Sequence, residues 1–157
     1  MDESAFQRLV DIEEIRQLKA RYFRYIDTKD WAGYGDLFAD DFVFEPDPRL
    51  GQVFTTESPP GREALVALIA KHLEGTVTVH RGYTSEIEIT GPDTATGTWS
   101  MSDYVSYPSA GLPVGFRGYG YYHEDYIRTP GGWRIKRRRI SRLRIDPLEG
   151  GLPSRRD

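Results

Sequence analysis

The stretch GTVTVHRGYTSEIEITGPDTATGTWSMSDYVSY, residues 75–107, decides how the chain folds. It is rich in β-branched, hydroxyl and aromatic residues, and Gly91-Pro92-Asp93 interrupts it as a turn. The pattern predicts two antiparallel strands, Thr76–Thr90 and Thr94–Tyr107. In the second, alternate residues Ala95, Gly97, Trp99, Met101, Asp103, Val105 and Tyr107 share one face. Thr94, Thr96, Thr98, Ser100, Ser102, Tyr104 and Ser106 share the other. In the first, Gly82 is the expected site of a bulge. Downstream, after a loop from Ser109 to Val114, the spacing predicts a third strand, Phe116–Arg128. Pro130-Gly131-Gly132 turns it into a fourth, Trp133–Ile145.

Upstream, the period changes to that of helices. Phe6, Leu9, Ile12, Ile15, Leu18, Tyr22 and Ile26 recur every three or four residues. Ser4 and Gln7 read as a capping box, and the helix should end near Thr28. Asp30 reads as the N-cap of a short helix, Trp31–Phe38. Asp40-Asp41 should break it before a short strand, Phe42–Phe44. Gly61–Glu74 is a third helix with Leu65, Leu68, Ile69 and Leu73 on its apolar side. Helices first and long antiparallel strands later indicate an α+β fold. Three helices cannot cover both faces of such a sheet, whereas a curved sheet wrapped around them would leave a cleft open at one end. Residues 1–145 form the expected single domain. The polar tail 146–157 is expected to be loose.

Composition narrows the function. The 157 residues carry a net charge of −3 and no cysteine. A disulfide scaffold, a thiolate zinc site and a cysteine nucleophile are therefore excluded. The histidines are His72, His80 and His123, none in a metal-ligand spacing, so neither a metal nor a cofactor is expected. No apolar run is long enough for a membrane helix, and the acidic start does not resemble a signal peptide. The expected location is the cytoplasm. Basic residues gather late, around Lys136-Arg137-Arg138-Arg139, but a strand splits them between two faces. Nucleic acid is therefore not the expected partner. No Walker A loop, GxGxxG or GxSxG motif is present. Ten tyrosines suit either a pocket for a flat organic ligand or a tyrosine-rich sheet or dimer face.

Candidate site residues follow from misplaced polarity. Asp103 alternates with Met101 and Val105, so its carboxyl needs a partner, a hydrogen bond or a proton. It is either a pocket acid or one end of a salt bridge to an arginine of the neighbouring strand. Asp27 ends the first helix, where the negative dipole disfavours a carboxylate and something else should hold it. Tyr22, Tyr25 and Trp31 crowd it. His80 is the candidate base. Strict alternation puts His80 opposite Val77 and Val79, on the face of Glu86 and Glu88, and a bulge would change that parity for later residues, so its face stays open. His72 and His123 read as structural or exposed. By parity with Trp133 and Ile135, Arg137 and Arg139 should face inward.

IEEIRQLKARYFRYIDTKDW (12–31), LFADDFVF (37–44), VTVH (77–80) and YIRTPGGWRIKRRR (126–139) together resemble the SnoaL-like branch of the nuclear transport factor 2 superfamily. The resemblance covers roughly residues 8–144. It implies a cone: a curved antiparallel sheet wrapped on three helices around a deep apolar pocket. Within that branch the chain looks most like bile-acid 7α-dehydratases, scytalone dehydratase and hexachlorocyclohexane dehydrochlorinase, which are cofactor-free lyases. The resemblance implies a catalytic pair of His80 and Asp27, with Tyr22 five residues before the aspartate and Asp103 on the later strand. The dehydrochlorinase has lysine at the Tyr22 position. Scytalone dehydratase has a second strand histidine that is missing here.

The resulting expectation is a dehydratase acting on a hydrophobic ring compound, with Arg137, Arg139, Trp99, Tyr25 and Trp31 contacting the substrate. A ketosteroid-isomerase-like isomerase or polyketide cyclase is the alternative. A non-catalytic binding module is the second. Relatives of this kind commonly pair through the outer sheet face, so a homodimer or homotrimer is expected.

Overall fold

The computed structural model describes residues 2–51, 54–55 and 57–154. Helix α1 spans Glu3–Thr28 and is N-capped by Asp2, whose carboxylate accepts from the Ala5 N–H at 2.6 Å. The expected capping box does not form, because Gln7 bonds instead to Asp11. The apolar stripe of α1 is buried only from its fourth turn on, through Ile15, Leu18, Tyr22 and Ile26. Phe6 and Leu9 are exposed. Lys29 ends the helix with φ 60, a left-handed cap usually given to glycine. Its ammonium group donates to the Ile26 carbonyl, offsetting the negative end of the helix.

Helix α2, Trp31–Gly35, is N-capped by Asp30 as expected but is shorter. Strand β1 runs Phe38–Glu45, so Asp40 and Asp41 lie within it rather than breaking the chain before it. Both stay exposed on this edge strand and pair with Arg62 and Lys136. Helix α3 is Gly61–His72. Four long strands follow: β2 Val77–Gly91, β3 Thr94–Tyr107, β4 Val114–Thr129 and β5 Gly132–Pro147. Residues 146–151, expected to be loose, extend β5 and then hydrogen-bond back onto Pro113 and Gly115.

The sheet order is β1-β5-β4-β3-β2, with β1 parallel to β5 and the remaining pairs antiparallel. This is the expected α+β architecture: a curved, unclosed sheet around N-terminal helices. On β3 every inward residue of the predicted set, from Ala95 to Tyr107, is buried.

Register shifts set the parity elsewhere. The β2 bulge lies at Tyr83–Thr84, just past Gly82, so Thr78 and His80 face inward before it and Ile87 and Ile89 after it. Gly82 serves a different purpose: a Cβ there would lie 2.6 Å from the Phe23 ring of α1. On β5, Lys136 and Leu143 fall at shifts of register against β4. The inward series therefore runs Ile135, Arg138, Ile140, Arg142 rather than continuing through Arg137 and Arg139. Among the described residues, no helix is long and apolar enough to cross a membrane.

Candidate active site

Helix α1 delivers Asp27 to the inner side of β2. There its carboxylate accepts three hydrogen bonds: from Thr78 Oγ1 at 2.9 Å, from the His80 backbone N–H at 2.9 Å, and from His80 Nδ1 at 2.7 Å. These are the partners that a carboxylate at a helix C-terminus requires. Lys29 supports them from behind by donating to Thr78 Oγ1. Burial pushes the Asp27 carboxyl up. The His80 ring, the His80 backbone N–H and Thr78 outweigh it, and the group titrates below its usual 3.8. An ionised Asp27 accepting at Nδ1 places the imidazole proton there. Nε2 is then the nitrogen left to act as a base toward the cavity that His80 lines.

That cavity encloses about 100 Å³. Its exposed wall area is mostly apolar, with Phe44, Leu50, Ile69, Val105 and Phe116 among the lining residues, and Glu45, Asp47, His72, His80, Asp103, Arg138, Arg142 and three tyrosines supply polar groups. Tyr22 and Tyr122 supply two phenols. Burial holds both hydroxyls well above the usual tyrosine range, aided at Tyr122 by the Asp103 charge, so each is a neutral hydrogen-bond donor. Arg138 donates to the Tyr22 hydroxyl and, at 3.3 Å, to that of Tyr34. Beneath Tyr22 lies a closed polar network. Lys19 and Glu124, both fully buried, meet at 2.6 Å, Tyr126 donates to Glu124, and Trp99 Nε1 donates to Tyr126 at 2.9 Å. The Lys19 ammonium lies 3.5 Å from the Tyr122 ring centroid and 4.1 Å from that of Tyr22.

Asp103 sits directly across from His80 in the β2–β3 ladder. It is bound bidentately by Arg142, at 2.9 and 2.7 Å, and Asp47 approaches the same guanidinium at 3.0 Å. This geometry is that of an ionised carboxylate, the salt-bridged alternative of the two left open above. Gly118 on β4 provides the space: a Cβ there would strike both Arg142 and Asp103.

The structure brings His80, Asp27, Tyr22 and Asp103 to one place. It does not bring the other candidates there. Arg137 and Arg139 face outward and pair with Glu45, because the bulge at Lys136 exchanges the faces of β5. Trp99 is buried in the network under Tyr22, away from the cavity lining. Trp31 lines a separate cleft with Lys29 and Leu73, and Tyr25 stacks beneath Arg24. Sequence reasoning missed Arg138, Arg142, Tyr122 and His72. His72, read as structural or exposed, lines the cavity and meets the Tyr107 hydroxyl at 2.6 Å. Tyr122 was accessible from the pattern, since it pairs with Trp99 in the β3–β4 ladder.

A curved, unclosed sheet around N-terminal helices, with an Asp–His pair beside its cavity, defines the class of small α+β protein. Residues 7–139 match the SnoaL-like domain, and the chain belongs to that family. Its fold is shared with type 2 LinA, a hexachlorocyclohexane dehydrochlorinase (TM-score 0.78, 16% identity, 96% of this chain and 97% of that one). It is also shared with a scytalone dehydratase-like protein from Novosphingobium aromaticivorans DSM 12444 (TM-score 0.79, 16% identity, 96% and 94%). Rv3472 of Mycobacterium tuberculosis, whose function is unknown, is 28% identical, with a TM-score of 0.68 over 87% and 78% of the two chains.

Proposed function

We propose that this protein is a cofactor-independent lyase that eliminates water from a hydrophobic cyclic compound bearing a carbonyl group. The observation that carries this reading is the 2.7 Å contact of Asp27 with His80 Nδ1, which leaves Nε2 for the cavity. His80 Nε2 takes the proton on the carbon next to the carbonyl, and the electron pair moves into the carbonyl as an enolate. A phenol donates to that oxygen, and Tyr22, itself polarised by Arg138, is placed for the task. The enolate then collapses, expelling the hydroxyl from the next carbon. That group leaves as water with the proton held on His80, and a carbon–carbon double bond conjugated to the carbonyl remains. Asp27 stabilises the transient imidazolium and fixes its orientation. Asp103, held by Arg142, is a positioning residue beside His80 on the same inner face of the sheet.

The dehydrochlorinase and dehydratase-like neighbours support elimination over other acid–base chemistries. A double-bond isomerase would use the same groups, and the two differ in whether water is lost. The test is turnover of cyclic β-hydroxy ketones followed by ultraviolet absorbance of the enone. His80→Ala should lower kcat by about 10²- to 10⁴-fold with the fold intact. Unchanged turnover would remove His80 as the base.

The outer sheet face exposes Tyr83, Tyr119, Tyr121 and Leu143. This supports a homodimer or homotrimer formed through that face.

A further inference from the structure

Arg138 is buried, 3% exposed, and lines the cavity. Its Nη1 donates to Tyr22 and Tyr34. Its Nε is buried without an acceptor, and Nη2 makes no hydrogen bond to a described residue. No carboxylate among the described residues reaches it. Among the described residues, the other buried cations each have a counter-ion: Lys19 has Glu124, and Arg142 has Asp103, with Asp47 at 3.0 Å. Around Arg138 stand rings instead, with Tyr22 at 5.2 Å and Phe44 at 5.3 Å from its guanidinium carbon, and Phe38 and Phe42 slightly farther. Ring faces offset part of the desolvation cost but accept no conventional hydrogen bond. A buried charge without a counter-ion is expensive, and this one borders a cavity.

We infer that Arg138 is the subsite for a carboxylate carried by a cyclic or aromatic ligand of this cavity. With Nε enclosed by protein and Nη1 engaged by the two tyrosines, Nη2 is the charged donor left for a carboxylate oxygen at the cavity. One unmatched cation suits a monoanion, and the phenylalanine rings beside it suit a planar group on an apolar body better than a hydrated dianion such as phosphate. On the lyase reading this carboxylate belongs to the substrate and would anchor the ring against β5, with His80 across the cavity on β2. That assignment rests on the proposed reaction, whereas the anion subsite does not.

The test uses benzoate as the probe and benzamide as its neutral isostere, by isothermal titration calorimetry on the full chain. Wild-type protein should bind benzoate about thirtyfold or more tightly than benzamide, the loss expected when a buried charged contact is removed. Arg138→Met should bring benzoate to the level of benzamide. Arg138→Lys, which keeps charge without the fork, should fall between. Benzoate affinity is read without turnover, and elimination by the same wild-type preparation is assayed separately, so failure of the elimination chemistry and failure of the subsite are distinguished. If Arg138→Met does not fold, the Arg138 Nε–H resonance of wild-type protein decides, and it should shift on adding benzoate. Equal affinity for the two probes, no binding of either, undiminished binding by Arg138→Met, or an unmoved resonance overturns the proposal.

Discussion

Gly118→Ala should disable the Asp103–Arg142 pair without changing a charge. Gly118 lies across from Asp103 in the β3–β4 ladder, and an added Cβ would fall well inside van der Waals contact of both Arg142 Nη1 and Asp103 Oδ1. Neither partner can swing into solvent, because their side chains are 3% and 4% exposed. Separating such a buried pair costs about 3–5 kcal/mol. Arg142 keeps Asp47 at 3.0 Å, which places the expected cost near the lower end, about 3 kcal/mol. For a chain of this size each kcal/mol moves Tm by about 2–4 °C, so Tm should fall by roughly 6–12 °C in a thermal melt. Gly111→Ala is the control, since nothing lies within 4 Å of its Cβ position, and its Tm should match wild type. In an Asp103→Ala background, Gly118→Ala should cost less, because only Arg142 must then give way and no ion pair is left to separate. A Tm for Gly118→Ala within about 1 °C of wild type would refute the packing argument.

Other outcomes follow from the same geometry. Asp103→Asn and Asp103→Ala should both be poor enzymes, because an amide cannot satisfy both arms of Arg142; near-wild-type turnover of the Asn variant would mean the acid acts as a neutral donor. Asp27 is held below its usual 3.8, so its contribution to stability is complete above that pH and is lost as pH falls through its folded-state value. The Tm gap between wild type and Asp27→Asn should therefore be present above pH 3.8 and close below it, and a gap that persists undiminished well below pH 3.8 would contradict the assignment. Light scattering at micromolar concentration should find a dimer or trimer, and a monomer would count against pairing through the outer face.

The helices, the strand-rich second half and the inward set of β3 were legible in the sequence, because each depends on a local period repeated over many residues. Asp103 was recognisable as a buried carboxyl for the same reason. Its partner was not, since strict alternation along β5 nominates Arg137 and Arg139. Tertiary structure chose Arg138 and Arg142, because the shift of register at Lys136 exchanges inside for outside in the residues that follow it. A bulge arises from how two strands a turn apart fit a curved sheet, and no property of Lys136 or Leu143 alone announces it. The face of His80 was open for the same reason, until the bulge proved to lie beyond it at Tyr83–Thr84. The capture of Asp27 by Thr78 and His80 joins residues more than fifty positions apart. In the sequence, only the likeness to a known family linked the two. In the fold, the length of α1 and the curvature of the sheet set the helix end against β2, and hydrogen bonds there hold a carboxylate that its own helix disfavours.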